Sequence, residues 1–458
     1  MSDNSLKKSL TLTQMIAMAA GGMIAAWMVE IKYWFELSGP GSFASLVTCA
    51  LFVLPLCFIY TELTSMLPYS GGENIWISNA FNWSTGWFSC WAVILLYVMA
   101  MPTVSYGIAS MMGYFYPITF MQTKIIALAI LILWFFLTNK ELKYLAKIQN
   151  FFFWSTLVVS ICASIVFMTN DAWSIDNLKP FFTNGTKGYS AAVALLIMKF
   201  IGFDLIPQLS EEADFPKNKL WIAFIASLGL TTLIYGFAII GVGGIVTSEW
   251  IAATDIVDPR VADVVGMHWL GITVVIMGIG TCITTLSGFW VAAARTFFGA
   301  AQQRQFTSKL AVVNKAGQPY KANILVGVLS IYFTVFAPDT WVNYIYTIYG
   351  LTAGAVYLMV TLSFIILRKK HPEWERPYKV KTPKLFGTVS VFFTVYVIYT
   401  SVLAMNKGAW LVFILYFALG IPFWAYAKSR QEKDPQNWAP IILSPDHDVQ
   451  IALTKTEE

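Results

Sequence analysis

Residues Met18 to Trp34 read MAAGGMIAAWMVEIKYW, and this stretch decides how the rest of the chain is interpreted. It lies within the first long apolar segment, yet it contains the adjacent glycines Gly21 and Gly22 and an acid, Glu30. Glycine destabilises a helix by roughly 1 kcal/mol relative to alanine, and a carboxylate in mid-membrane is costly unless paired or hydrated. The stretch therefore predicts a break in a membrane helix that exposes backbone groups to a solute. The alternative is a glycine packing notch with Glu30 at the outer interface.

The composition excludes an ordinary soluble protein. Of the 458 residues, 57% are hydrophobic and 12% are charged, whereas a soluble protein carries about 25% charged residues. Apolar runs recur that are long enough to cross a hydrocarbon core of about 30 Å. The sequence therefore predicts an all-α polytopic membrane protein with twelve transmembrane helices. Most of the 30 Lys and Arg residues lie in loops on one side, which predicts a cell-membrane protein with both termini in the cytoplasm.

The sixth span repeats the unusual features of the first. From Ala191 it reads AAVALLIMKFIGFDLIPQLSEEADFPKNK, with Lys199, Gly202 and Asp204 inside the apolar run and Pro207 soon after. Spans one and six are five spans apart and run in opposite directions under the predicted topology. This arrangement is typical of a five-plus-five inverted repeat, in which two discontinuous helices flank a central binding site.

The predicted repeat divides the chain into five parts. These are a cytoplasmic N-terminus at 1–11, a first repeat at 12–169, a second repeat at 188–366, two further spans at 386–427 and a cytoplasmic tail at 428–458. The stretches between the spans are too short to bury a core of their own. We therefore expect no appended soluble domain.

Three motifs, in this order along the chain, resemble those of the amino acid–polyamine–organocation superfamily. PYSGGENIW, from Pro68 to Trp76, resembles P-x-S-G-G-x-Y-x-[YW]. The sixth span has FIGFD followed by SEEADFPKNKL, similar to F-x-G-[FV]-[DE] and E-x-x-x-P-[KQ]-[KR], and VNKAGQP, ending at Pro319, resembles V-N-K-x-G-x-P. The resemblance covers essentially the whole chain. It implies an inverted-repeat carrier of amino acids, amines or polyamines, with spans one, three, six, eight and ten around its site.

One departure from the superfamily pattern concerns the substrate. Relatives that bind amino acids usually have G-[SA]-G-[IV] at the first break, where the matching residues here are Ala25, Ala26, Trp27 and Met28. An indole at the second glycine position, with Glu30 three residues later, is a poor clamp for a carboxylate. Indole and carboxylate both attract ammonium or guanidinium groups. The sequence therefore predicts an organic cation as substrate.

The predicted site residues lie at the two breaks and on spans three and eight. The substrate-binding set is Gly22, Ala25, Ala26, Trp27, Glu30, Tyr97, Met101, Ile201, Gly202, Phe203, Asp204, Phe289 and Trp290. The gating or charge-coupling set is Met198, Lys199 and Asp204. A structural alternative is a buried ion pair of Lys199 with Glu30 or Asp204, and for the aromatic residues the alternative is packing.

The agmatine–putrescine antiporters are the group of the superfamily that the chain resembles most. We therefore predict exchange of external agmatine for internal putrescine by alternating access. The expected partners are small organic cations and membrane lipid, without nucleic acid, and homodimer formation is left open. The alternative is a proton-coupled amino acid permease of the same fold, in which Lys199 replaces a sodium ion. A membrane sensor would be expected to carry an appended domain, and the apolar segments contain no enzyme motif, so no catalytic residue, metal or cofactor is predicted.

Overall fold

All regular elements of the described chain are helices. The computed structural model describes residues 6–337 and 341–445, so 1–5 and 446–458, parts of the predicted N-terminus and tail, lie outside the described residues. The α-helices are α1 Leu12–Met23, α2 Trp27–Ser38, α3 Ser42–Met66, α4 Gly72–Ala80, α5 Trp83–Met112, α6 Phe120–Thr138, α7 Leu142–Met168, α8 Gly185–Leu196, α9 Leu205–Gln208, α10 Leu220–Ile245, α11 Ser248–Ala253, α12 Val257–Val264, α13 His268–Gln302, α14 Tyr320–Val335, α15 Trp341–Lys370, α16 Pro383–Ala404, α17 Lys407–Lys433 and α18 Pro435–Trp438.

Ten helical segments in these ranges are long and apolar enough to cross a membrane, and two shorter apolar helices, α1 and α14, accompany them. The chain is a multi-pass membrane protein, as its composition predicts. Its division into two inverted repeats of five spans stays a prediction. Inner and outer denote here the cytoplasmic side and the opposite side under the predicted topology.

The first break separates α1 from α2. Helix α1 ends at Met23, and Ala26 adopts the left-handed conformation, with φ 32° and ψ 32°, before α2 begins at Trp27. The glycine pair permits close packing beside this break, because a Cβ on Gly21 would lie only 2.8 Å from Oγ1 of Thr284. The sequence and the structure therefore place the break within the same few residues.

The second break follows α8 and touches the first. A 3₁₀ turn at Ile197–Phe200 leads into extended Ile201 and then Gly202, whose φ of 141° favours glycine, before the short helix α9. A Cβ on Gly202 would lie 2.9 Å from the backbone nitrogen of Met23. The two irregular segments are therefore in backbone contact at the centre of the molecule.

Hydroxyl groups cap carbonyls at the end of α1. The last four carbonyls of a helix have no partner within the helix itself. The carbonyl of Gly21 accepts hydrogen bonds from Oγ1 of Thr284 at 3.2 Å and of Thr285 at 2.6 Å. The carbonyl of Met23 accepts one from the hydroxyl of Tyr235 at 2.6 Å. Side chains of α10 and α13 thus stabilise the broken end of α1.

Three short helices lie between the long apolar helices. Helix α4 follows the PYSGG motif on the inner side, and α11 and α12 lie between α10 and α13 on the outer side. Helix α12 packs on α2, α10 and α13. These helices are short and of mixed polarity, so they carry no membrane-helix signal, yet α12 contacts the first broken span directly.

The segment before α1 pairs with the segment after α9 on the inner side. The N–H of Leu10 donates to the carbonyl of Glu212 at 2.9 Å, and the N–H of Asp214 donates to the carbonyl of Leu10 at 2.8 Å. Arg295 of α13 donates twice to the carboxylate of Glu212, both at 2.8 Å, and once to Gln318 at 2.9 Å. These contacts, called here the inner closure, join the first, sixth and eighth spans.

Candidate functional site

A cavity lies where the two breaks meet. Its wall consists of parts of α1, α2, α5, α13 and α15, together with the segment between α8 and α9. The lining residues are Gly22, Met23, Ala25, Glu30, Ala100, Thr103, Val104, Met198, Lys199, Ile201, Thr285, Phe289, Ile345, Tyr346 and Tyr349. The cavity volume in this conformation is about 40 Å³, well below the range of about 300–1,000 Å³ that is typical of small-molecule sites, so the two breaks must move apart to admit a solute.

An ion pair lies in the wall of this cavity. The ammonium group of Lys199 contacts the carboxylate of Glu30, which also accepts a hydrogen bond from the hydroxyl of Tyr346. Glu30 is only 4% exposed and Lys199 only 5%. Nζ of Lys199 lies 5.3 Å from the centre of the Tyr346 ring. Lys199 thus lies beside a carboxylate and an aromatic ring. The sequence predicts surroundings of this kind for the cationic group of an organic-cation substrate.

This pairing sets the charge of the cavity. A buried charge is tolerated when an opposite charge and hydrogen bonds satisfy it, and Tyr346 completes that arrangement around Glu30. Glu30 and Lys199 are the charged residues among the described lining residues. The cavity is therefore close to neutral, and Glu30 is not a free counter-ion.

Seven of the predicted site residues line the cavity. They are Gly22, Ala25, Glu30, Met198, Lys199, Ile201 and Phe289. The others are not part of its lining in this conformation: Ala26, Trp27, Tyr97, Met101, Gly202, Phe203, Asp204 and Trp290.

Trp27 contacts an outer helix rather than the cavity. Its Nε1 donates to Oδ1 of Asp258 in α12 at 3.2 Å, and both side chains are buried. This hydrogen bond holds the indole away from the position at which it was predicted to stack on a substrate. Burial raises the pKa of Asp258 to about 6, and the hydrogen bond from Trp27 opposes that rise.

Asp204 lies behind the cavity wall. Its Oδ1 accepts the N–H of Gly202 at 2.8 Å, and its Oδ2 has no hydrogen-bond partner among the described residues. The hydroxyl of Tyr97 donates to the backbone carbonyl of Asp204 at 2.9 Å. The neighbouring Phe203 packs edge-on against Tyr60, with ring centres 5.0 Å apart. These residues shape the second break, and direct contact with a solute in the cavity would require a change of conformation.

Two adjacent aromatic residues of α13 have different surroundings. Phe289 lines the cavity and lies 5.7 Å from the ring of Tyr97. Trp290 is fully buried and faces α14, where a Cβ on Gly327 would come within 3.4 Å of its ring. Trp290 therefore has a packing role. Met101 has one too, since it is buried and lies outside the cavity lining.

Four polar lining residues were not predicted from the sequence: Thr103, Thr285, Tyr346 and Tyr349. Thr285 caps the carbonyl of Gly21, and Tyr346 and Tyr349 are three residues apart on α15. The superfamily resemblance already implied that span ten borders the site. Aromatic residues at i and i+3 in that span were the signal that could have identified the two tyrosines.

Known proteins resemble this chain over nearly its whole length. Residues 10–425 match the amino acid permease family. The branched-chain amino acid permease of Bacillus subtilis (strain 168) is 22% identical over 456 residues, which cover 94% of this chain and 95% of the relative. The aspartate-proton symporter of the same organism is 22% identical, with 87% and 80% covered. The Asc-type amino acid transporter 1 of Mus musculus is 23% identical, with 92% and 82% covered.

The membrane-spanning helices and these similarities define a secondary transporter of the amino acid–polyamine–organocation superfamily. Within that superfamily, the chain belongs to the amino acid permease family. The class of protein predicted from the three motifs is thereby confirmed at the level of the superfamily.

Proposed function

We propose that this transporter carries neutral α-amino acids together with protons. The buried Glu30–Lys199 pair is the observation that carries this proposal. Because the pair leaves the cavity close to neutral, a zwitterion adds no net charge to it, whereas a diamine would bring two uncompensated positive charges. The names of the relatives describe transport of amino acids, in one case of aspartate with protons, which supports an amino acid as the substrate and protons as the coupling ion.

The first break offers backbone groups for both ends of a zwitterion. The first N–H groups of α2 have no partner within the helix, and a helix N-terminus favours a carboxylate. The C-terminal end of α1 carries the opposite partial charge, which favours an ammonium group. Gly22 and Ala25 bring these two helix ends to the cavity wall.

The rest of the lining favours an uncharged, largely apolar side chain. Val104, Ile201, Ile345 and Phe289 contribute apolar surface from four different segments. Burial of apolar surface stabilises a complex by roughly 25 cal/mol per Å². We therefore expect branched and aromatic amino acids to compete better than acidic or basic ones.

Uptake into proteoliposomes tests this function. Empty vesicles would receive labelled leucine outside, with and without an inward proton gradient, and with unlabelled arginine, aspartate or phenylalanine as competitors. We expect accumulation only with the gradient, and competition by phenylalanine alone. Equal uptake with and without the gradient would contradict proton coupling, and failure to bind any neutral amino acid would contradict the substrate class.

Exchange of agmatine for putrescine is the second candidate function. The rings of Phe289, Tyr346 and Tyr349 in the lining favour it, since aromatic faces attract cations. This exchange requires the Glu30–Lys199 ion pair to break, so that the carboxylate of Glu30 can bind the cationic substrate. Labelled agmatine would enter putrescine-loaded vesicles, but not empty ones, if this exchange is the function, and the neutral amino acids would then not compete.

A further inference from the structure

A second group of buried acids lies on the inner side of the cavity. Glu73 of α4 is fully buried, and its Oε2 accepts a hydrogen bond from Nε2 of Gln208 at 2.6 Å. Oε1 of Gln208 in turn accepts the N–H of Gly71 at 2.9 Å. Asp204, one helical turn before Gln208, is also fully buried. Carboxyl groups from two distant segments of the chain therefore share one buried cluster.

Among the described residues, no cation pairs with these carboxyls. Oε1 of Glu73 and Oδ2 of Asp204 have no hydrogen-bond partner there, and the buried ion pairs involve Glu30, Glu62 and Glu212 instead. The titratable groups that face the cluster from α3, α5 and α15 are hydroxyls and thiols, none of which carries a positive charge. They are Tyr60, Cys57, Tyr97, Cys90, Tyr349 and Tyr357.

Two ionised carboxylates cannot share a buried site without a cation except at high energetic cost. Helix α4 lies outside the membrane-spanning segments, and burial raises the pKa of Glu73 well above its ordinary value. The negative charge of Asp204 raises it further. The closed cluster therefore binds a proton in preference to two negative charges.

We propose that Glu73 and Asp204 form a proton-binding site from which Glu73 releases the transported proton on the inner side. This assignment rests on the proton-coupled function proposed above. Helices α4 and α9 contact each other closely, since a Cβ on Gly72 would lie 2.5 Å from Cβ of Pro207. When this contact opens, water reaches Glu73, accepts its proton as hydronium and leaves a carboxylate. The site must take up a new proton before the contact closes again.

The decisive variant is Glu73→Gln, which preserves the shape of the side chain but cannot release a proton. Purified full-length protein would be tested in proteoliposomes for leucine accumulation under a proton gradient, and for leucine counterflow without one. We expect gradient-driven accumulation to fall by about tenfold or more while counterflow stays within about twofold. A pH-sensitive dye should show that leucine no longer drives proton movement.

Glu211→Gln is the matched control. Glu211 lies on the same inner face and accepts the N–H of Ser70 at 3.0 Å, but its side chain is partly exposed, whereas that of Glu73 is fully buried. This control should keep gradient-driven accumulation, and Glu73→Asp, which retains an ionisable carboxyl, should recover part of it.

Two outcomes would overturn the assignment of Glu73. One is undiminished accumulation by Glu73→Gln. The other is a loss of counterflow together with accumulation, which would indicate a structural role. If the unaltered protein itself showed neither leucine counterflow nor accumulation, the proposed function would have failed instead.

Discussion

Lys199 and Glu30 lie in the same cavity wall, so either side chain alone would be a buried charge without a counter-ion. Their sequence separation is 169 residues, and only the contact between the two helix breaks brings them together. Sequence reasoning could locate both residues, because a charge inside an apolar run is energetically unusual. It could not choose between pairing and substrate contact, since that choice depends on how the breaks meet.

Removing one member of this pair should destabilise the protein strongly. We expect Lys199→Met or Glu30→Gln alone to cost about 3–5 kcal/mol, because each leaves its partner buried and unpaired. The double variant Glu30→Gln with Lys199→Met should recover most of that loss. Thermal unfolding in detergent measures the effect, and a double variant no more stable than the single ones would show that the pairing is not what stabilises this wall.

Gly202 should not tolerate a side chain. Alanine there would adopt a φ of 141° and place its Cβ 2.9 Å from the backbone nitrogen of Met23, and strained backbone costs about 1–3 kcal/mol. Gly202→Ala should therefore lower the unfolding temperature and abolish uptake. Gly229→Ala is the control, because a Cβ at Gly229 in α10 meets nothing within 4 Å. Equal unfolding temperatures for the two variants would refute this account of the second break.

At the scale of elements, the clearest surprise is α12 and its contact with α2. The direction of Trp27 could not be predicted, because its partner Asp258 lies in a short helix with no membrane-span signal. The breaks themselves were predictable, since glycines interrupting an apolar run favour irregular backbone. A loop segment that folds over the membrane helices leaves little trace in hydrophobic periodicity.

The contact between α12 and α2 should make stability depend on pH. Burial raises the pKa of Asp258 to about 6, from 3.8, so the folded protein holds an uncompensated charge above that range. The contribution of Asp258 to stability should be greatest below about pH 4 and fall as the pH rises through about 6, by an amount on the order of 3 kcal/mol.

Asp258→Asn isolates this effect, because the amide oxygen can still accept the indole N–H of Trp27. We expect the variant to unfold at a higher temperature than the unaltered protein at pH 7.5, and at a similar temperature at pH 4. Thermal unfolding at the two pH values measures the difference. An unchanged pH dependence would show that Asp258 does not carry it.

At the scale of the whole molecule, the fold class followed from the lengths of the apolar runs, and the superfamily followed from three motifs in order. The subgroup of transporters, and with it the substrate, could not be predicted in the same way. It was inferred from Trp27 and Glu30, and the structure shows each of them engaged by another residue of the protein, Asp258 and Lys199. Local sequence therefore predicted the scaffold better than the direction in which side chains point.

The inner closure should restrain the N-terminal end of α1. Arg295→Lys cannot reproduce the two parallel bonds that the guanidinium donates to Glu212. We expect faster deuterium uptake in residues 9–14, measured by mass spectrometry. Arg430→Lys is the control, because the pair of Arg430 with Asp434 is partly exposed, and solvent-accessible pairs contribute only about 0–1 kcal/mol. Equal uptake in both variants would argue against a restraining role.

Lys199 occupies the position beside Glu30 at which a cationic substrate group was predicted. This position also bears on how substrate range evolves in such carriers. Lys199→Met leaves the carboxylate of Glu30 beside Tyr346, ready to accept an ammonium group supplied from outside. Agmatine should then raise the unfolding temperature of Lys199→Met but not that of the unaltered protein, because a ligand stabilises only the folded form that binds it. Descent from a carrier of zwitterions to a carrier of amines would need the loss of one ammonium group, with the rest of the scaffold inherited intact.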